Sequence, residues 1–171
     1  EGFGGDIHVK LSEKLIMCAD ATSIVFPHDQ PLVYDTIRKS FPDKFQFTWS
    51  MHGLGLINGS AEKVGDASNV TVQLEDKQYN YNLPFTGIVP VSNSLVCLTT
   101  FVALGIPIEG RLKAFEDLQP IDMRLKAEDG IQGCVLINDS YSLDLDSLQY
   151  ALESLDIAGQ TQQKTLVLSD H

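Results

Sequence analysis

Gly133-Cys134-Val135-Leu136-Ile137-Asn138-Asp139-Ser140-Tyr141-Ser142-Leu143-Asp144-Leu145-Asp146-Ser147-Leu148 is the stretch that decides the fold class. Gly133 opens an apolar run and polar residues close it, which predicts a strand buried on both faces. Leu145, Leu148, Leu152 and Leu155 then recur at spacings of three and four, marking one side of a helix. Asp139 therefore falls where a strand ends and a loop leads into a helix. In open α/β sheets that is where ligands bind, in the crevice outside the carboxyl ends of the strands.

Outward from this unit, strands and helices alternate. Residues 12–22 predict a helix with Leu11, Leu15, Cys18 and Ala19 on one face, and 23–26 a short strand stopped by Pro27. Asp29 is expected to cap a helix over 31–40, with Pro31 near its first position. Residues 45–49 predict another strand. Val70, Val72 and Leu74 alternate with polar residues, as do Tyr79, Tyr81, Leu83 and Phe85 beyond the turn at 75–77. That is a hairpin with one buried face, joined by a strand around 54–57. Ser92 opens a helix that is apolar nearly all round through Leu104 and stops at Gly105, a pattern that predicts burial. Residues 110–118 predict a shorter helix, ended by Pro120. Met123, Leu125 and Ala127 alternate with Asp122, Arg124 and Lys126, giving a strand that turns at 128–130 into the one at 133–138. After a helix at 145–157, residues 164–168 are expected to form a third strand. A domain boundary is placed near 118–122, dividing the chain into 1–118 and 119–171.

The bulk numbers bound the function. At 171 residues the chain fits one large core or two small ones, at roughly 100–200 residues per domain. A hydrophobic fraction of 43% is that of a soluble globular protein. The net charge of −11 excludes a nucleic-acid backbone as partner but permits a nucleotide, for which local amides and a few cations suffice. Cys18, Cys97 and Cys134 lie in apolar surroundings without metal-ligand spacing, which points to a reduced, cytoplasmic setting. The sequons at Asn58, Asn69 and Asn138 are expected to be accidental. The apolar region 95–104 falls short of the roughly 20 residues a membrane span needs. The abrupt start at Glu1-Gly2-Phe3, and the end at Asp170-His171 straight after an apolar segment, suggest a chain cut from a longer one.

Ile137, Asp139, Tyr141, Asp146 and Ser147 match an Ile-Asp-Asp-x-Tyr-Asn-x-Asn-Pro-Asp-Ser pattern, with departures at Asn138, Ser142, Asp144 and Leu145. Here the chain resembles the Mur ligases, the ATP-dependent enzymes that build the peptidoglycan peptide. The nearest branch adds D-alanyl-D-alanine to UDP-MurNAc-tripeptide, and the departures resemble the subgroup fused to alanine racemase. The resemblance implies an α/β fold. Residues 1–118 would be the later part of an ATP-binding central domain with a small β-hairpin sheet, and 119–171 the start of a Rossmann-like C-terminal domain. It also implies ATP and Mg²⁺ as cofactors, and a peptide bond made through an acyl phosphate.

Candidate site residues follow one by one. A carboxylate at Asp139 can accept hydrogen bonds from ribose hydroxyls, the role the resemblance gives it, or it can cap the following turn. Tyr141 matches the family tyrosine and would pack on the nucleotide, or is a partly buried loop tyrosine. Arg124, in Asp122-Met123-Arg124-Leu125, resembles a Gly-Arg-Leu-Glu segment whose arginine faces the nucleotide. A planar, permanently charged guanidinium suits phosphate, although an exposed strand arginine paired with an acid has the same pattern.

Asn93, within residues 87–95, resembles the adenine-contacting asparagine of Gly-Arg-His-Asn-x-x-Asn-Ala-Leu. An amide both donates and accepts, as an adenine edge requires. Ile88, Val89 and Pro90 depart from that motif, and Asn93 also suits a helix start. Lys14, in Ser12-Glu13-Lys14-Leu15, resembles a lysine that is carbamylated and helps position Mg²⁺; carbamate oxygens suit that hard cation. A solvated helix lysine is the alternative. The start at Glu1-Gly2-Phe3 matches the residues after the family's metal-binding histidine.

No G-x-x-x-x-G-K-[ST] phosphate loop occurs, and no nucleophile–histidine–acid arrangement can be assembled. The chain by itself is therefore expected to be inactive. Two other readings compete: a non-catalytic Rossmann-like nucleotide-binding or regulatory module, and a secreted β-rich interaction domain.

Overall fold

The computed structural model describes residues 6–119, 121, 125–141, 145–158 and 163–168. Arg124, the rest of the alternation at 122–124, residues 1–5 and residues 169–171 lie outside the described residues. The chain divides into two units, Glu1–Leu118 and Gln119–His171.

The first unit carries a mixed sheet of β1 (Ser23–Pro27), β2 (Phe45–Ser50), β3 (Ile57–Val64), β4 (Ala67–Leu74) and β5 (Lys77–Leu83), in that spatial order. β1, β2 and β3 run parallel, whereas β4 and β5 return antiparallel as the hairpin read from the alternation. The first two strands are joined by α2 (Pro31–Ser40), with Pro31 in its first turn as read from the sequence. Ile24 and Phe26, the alternate inward residues of β1, bury against Ile37, with Val33, Tyr34, Phe41, Leu15 and Cys18 around them.

α1 (Ile7–Leu15) starts five residues earlier than expected, because Asp6 caps it by accepting from the His8 and Val9 amides at 2.8 and 3.4 Å. A short 3₁₀ turn, Ile16–Cys18, ends it. The Lys44 ammonium donates to the Ala19 and Ala21 carbonyls, each at 2.6 Å, and ties the segment after that turn to the start of β2.

The second core lies on the hairpin. Ile57, Val70, Val72, Tyr81 and Leu83 face Val91, Leu95 and Leu98 of α3 (Ile88–Ala103), closed off by Ile108 and by Phe115 of the one-turn α4 (Lys113–Glu116). α3 is apolar all round but buried on one stripe only, Val91, Ser94, Leu95, Leu98 and Thr99. Ile88, Val96 and Leu104 are exposed, as is Cys97. The expected full burial is therefore corrected, because only one face of this helix meets the sheet. Gly59 is the contact point: a Cβ there would lie 2.6 Å from Leu95 Cδ2 and 2.7 Å from Cδ1. Tyr81 is buried, and its hydroxyl donates to Ser94 Oγ at 2.6 Å, since the Ser94 hydrogen is already given to the Val91 carbonyl. Burial pushes its pKa up to about 12.

The second unit contains β6 (Lys126–Asp129) and β7 (Val135–Asn138), paired antiparallel from Lys126↔Asn138, and α5 (Leu145–Ala158), which packs against β7. The strand expected to be buried on both faces is not: Val135 and Leu136 are about half exposed, and Cys134 is exposed. A two-stranded sheet with one helix against it leaves a face uncovered. Residues 163–168 form no strand: among the described residues no edge pairs with them, and Val167 is 87% exposed.

Leu95 has no exposed surface, and its side chain fills the space left by Gly59. Leu95→Ala should therefore destabilise the chain by about 2–5 kcal/mol, read as a lowered midpoint in urea unfolding.

Candidate functional site

Asp139 follows directly on β7, at its carboxyl end, and is half-buried. The local turn is made by its neighbour: Asn138 Oδ1 accepts from the Ser140 amide at 3.2 Å and from Ser140 Oγ at 2.8 Å. Asp139 instead reaches back along the sheet, with Oδ1 accepting from the Leu125 amide at 3.1 Å. Tyr141 stands two residues on, in the same loop, and is 63% exposed.

The other expected site residues belong to the first unit. Asn93 lies in the second turn of α3 and is exposed. That helix begins at Ile88, four residues before the expected Ser92, because Gly87 (φ 98°) turns the chain into it and Pro90 is tolerated in the first turn. Asn93 is thus not a helix-start residue. Lys14 lies in the last turn of α1, with its side chain exposed. Asp139 and Tyr141 share one loop; Lys14 and Asn93 sit on separate helices.

The carboxyl ends of β1 and β2 are rich in polar contacts. Asp29, expected as the cap of α2, accepts from Ser50 Oγ at 2.5 Å and from the Met51 amide at 2.6 Å, and Gln30 takes the cap position. Ser50 Oγ in turn accepts from the His52 and Leu54 amides. These groups bond to one another and tie the loop after β2 to the end of β1. His28 Nδ1 and Trp49 Nε1 are the buried side-chain atoms without a hydrogen-bond partner among the described residues.

A second polar cluster fastens the hairpin. Glu109 Oε1 accepts from Tyr79 OH at 2.8 Å and from Lys77 Nζ at 3.1 Å. Its own backbone N–H, the Tyr79 hydroxyl and the Lys77 ammonium hold its carboxyl at about 2. The three residues edge an open groove of about 300 Å³ floored by Leu74, Val102 and Ile108. No signal short of the tertiary fold pairs residues so far apart in the chain.

Among the described residues, no group of three or more His, Cys, Asp or Glu side chains could hold a metal ion. A single exposed lysine does not make a Mg²⁺ centre, so the described residues do not by themselves fit that ion. Among the described residues, no helix is long and apolar enough to cross a membrane.

No protein-family model matches the chain, and no curated protein is similar to it in sequence. Solved structures are similar in fold. A MurF crystal structure from Acinetobacter baumannii superposes with a TM-score of 0.68 at 20% identity, covering 78% of this chain and 29% of that one. MurF ligase from Thermotoga maritima, solved in complex with ADP, gives 0.60 at 16% identity over 78% of this chain and 30% of that one. A UDP-N-acetylmuramoyl-L-alanyl-D-glutamate–2,6-diaminopimelate ligase gives 0.67 at 13% identity, over 90% and 33%. The α/β fold is thus that of parts of Mur ligases, and the chain spans about a third or less of the length of these neighbours.

The Glu109 cluster makes a pH prediction. Its folded pKa lies below the ordinary 4.5, so its stabilisation is present above pH 4.5 and is lost as pH falls toward 2. Glu109→Gln should flatten that part of the stability–pH curve, measured by thermal unfolding from pH 5 to about 2.

Proposed function

We propose that this chain is part of an ATP-dependent Mur-type ligase that adds D-alanyl-D-alanine to UDP-MurNAc-tripeptide during peptidoglycan precursor synthesis in the cytoplasm. The observation that carries the reading is the fold likeness to MurF over 78% of the chain. The residues Ile137, Asp139 and Tyr141, lying where β7 passes into its loop, add support. In this reading residues 1–118 are the later part of the ATP-binding central domain, and residues 119–171 begin the Rossmann-like C-terminal domain.

ATP, when bound, supplies the phosphoryl group that activates the tripeptide carboxylate for attack by the dipeptide amine. The chain's own residues position the nucleotide. Asp139 accepts the ribose hydroxyls, and Tyr141 offers an exposed ring in the same loop. Arg124 brings a permanent positive charge for phosphate, and Asn93 an amide for the adenine edge. Lys14, if carbamylated, becomes an oxygen donor of the kind Mg²⁺ takes, acting alongside ligands from elsewhere in the protein. An alanine racemase domain fused to the same polypeptide belongs to this proposal.

A non-catalytic nucleotide-binding module is the second reading.

The deciding measurement is phosphate release by the full-length protein with ATP, Mg²⁺ and UDP-MurNAc-tripeptide, with and without D-alanyl-D-alanine. Release that depends on the dipeptide is expected, and none from the 171-residue chain alone. ATP binding by the full-length protein without any release would favour the non-catalytic module.

A further inference from the structure

β5 is the last strand of its sheet, and its outer edge is unpaired among the described residues. The turn that leads into it has two residues, so Leu74↔Lys77 is a hydrogen-bonded pair, and bonded pairs recur at every second residue. Lys77, Tyr79, Tyr81 and Leu83 therefore spend their backbone groups on β4. Gln78, Asn80 and Asn82 aim theirs the other way, and all three residues are exposed.

Folded proteins ordinarily guard such an edge with a proline, a bulge or a charged side chain. β5 contains no proline, and its register with β4 is unbroken from Lys77 to Leu83. Its one charge, Lys77, belongs to the face opposite the amides, where the ammonium lies 3.1 Å from Glu109 Oε1. Nothing in the strand turns another strand away.

The edge also fits itself. About a two-fold axis through Asn80, the seven residues of β5 pair along their whole length with those of a second copy. Asn80 meets its own counterpart, Gln78 meets Asn82, Tyr79 meets Tyr81, and Lys77 meets Leu83. The bonded pairs are then those of Gln78, Asn80 and Asn82, whose N–H and C=O groups are the unused ones. On one face amide lies beside amide, each able to donate and accept. Charge points to the same place. Copies that each carry −11 repel, and residues 78–83 carry no charge at all.

We infer that β5 is a self-association surface, through which two copies join their five-stranded sheets edge to edge, antiparallel, into one continuous sheet. The inference does not depend on the ligase reading, because none of the residues proposed for the nucleotide or for Mg²⁺ lies in β5. Strand pairing alone makes a small interface, so the dimer is a weak one.

Sedimentation velocity of the full-length protein, from about 1 to 200 μM, should show a reversible monomer–dimer equilibrium. Asn80→Pro removes an N–H that β4 does not use and should weaken the dimer by about tenfold or more, since each copy loses a bond at the axis. Cross-linking gives an independent readout, because the Cα atoms of a bonded pair lie about 5.5 Å apart, within disulfide reach. Under oxidation Asn80→Cys should yield a covalent dimer. The unsubstituted protein with its own cysteines should not, nor should Asn82→Cys, whose counterpart across the axis is Gln78. A dimer that Asn80→Pro leaves unchanged, or equal cross-linking by the two cysteine variants, would overturn the proposal. So would a protein that stays monomeric throughout, and the edge would then be open to a strand of a different protein.

Discussion

The first unit depends on how β2 is joined to β3. Parallel neighbours ordinarily need a crossover of a dozen residues or more. Here residues 51–56 suffice, because β3 starts alongside the end of β2 and the two share only the pairs Trp49↔Ile57 and Ser50↔Asn58. So short a connection cannot satisfy its own backbone, and side chains do it instead. Asp29 takes the Met51 amide, Ser50 Oγ the His52 and Leu54 amides, Asn58 Oδ1 the Gly55 amide, and Thr48 Oγ1 the Leu56 amide. Ser50 is fully buried and uses all its capacity, one hydrogen given to Asp29 and two lone pairs filled. At Gly55 a Cβ would sit 2.7–2.8 Å from backbone atoms of Trp49, Ser50 and Ile57. The parallel and antiparallel halves of the sheet meet at this junction, and it can be built only with these small and polar residues.

That constraint also explains what was legible in the sequence. The hairpin could be read because Val70, Val72, Tyr81 and Leu83 alternate with period two, and one face of the sheet is buried. α2 could be read from Pro31. Asp29 has the sequence pattern of a helix cap, because a capping aspartate and one that ties a distant loop look alike in sequence; the difference lies 21 residues away, at Ser50. The start of α3 was misplaced for a related reason: Ser92 is a good cap by composition, but Gly87 with its positive φ determines where the chain turns. β7 looked like an interior strand because its residues are apolar. Apolarity, however, does not say how many layers surround a strand, and α5 covers only part of this one.

The candidate site follows the same pattern. The strand–loop–helix around Asp139 was legible from Gly133, the apolar run and the leucine spacing. What Asp139 bonds to was not, because the partner is a backbone amide, which carries no side-chain signal. The Glu109–Tyr79–Lys77 cluster likewise joins the hairpin to the loop after α3 through residues whose types are ordinary on any surface.

The close approach of Gly59 to Leu95 bears on how the first unit can move. A helix that meets a sheet through a side chain seated over a glycine has its axial position set; sliding by one residue would drive a Cβ or a branched methyl into backbone. The Tyr81–Ser94 hydrogen bond pins the same helix against rotation. α3 and the hairpin therefore travel together, and any displacement of Asn93 would carry the β3–β5 surface with it. Mechanical rigidity, more than any single contact, is what this packing contributes.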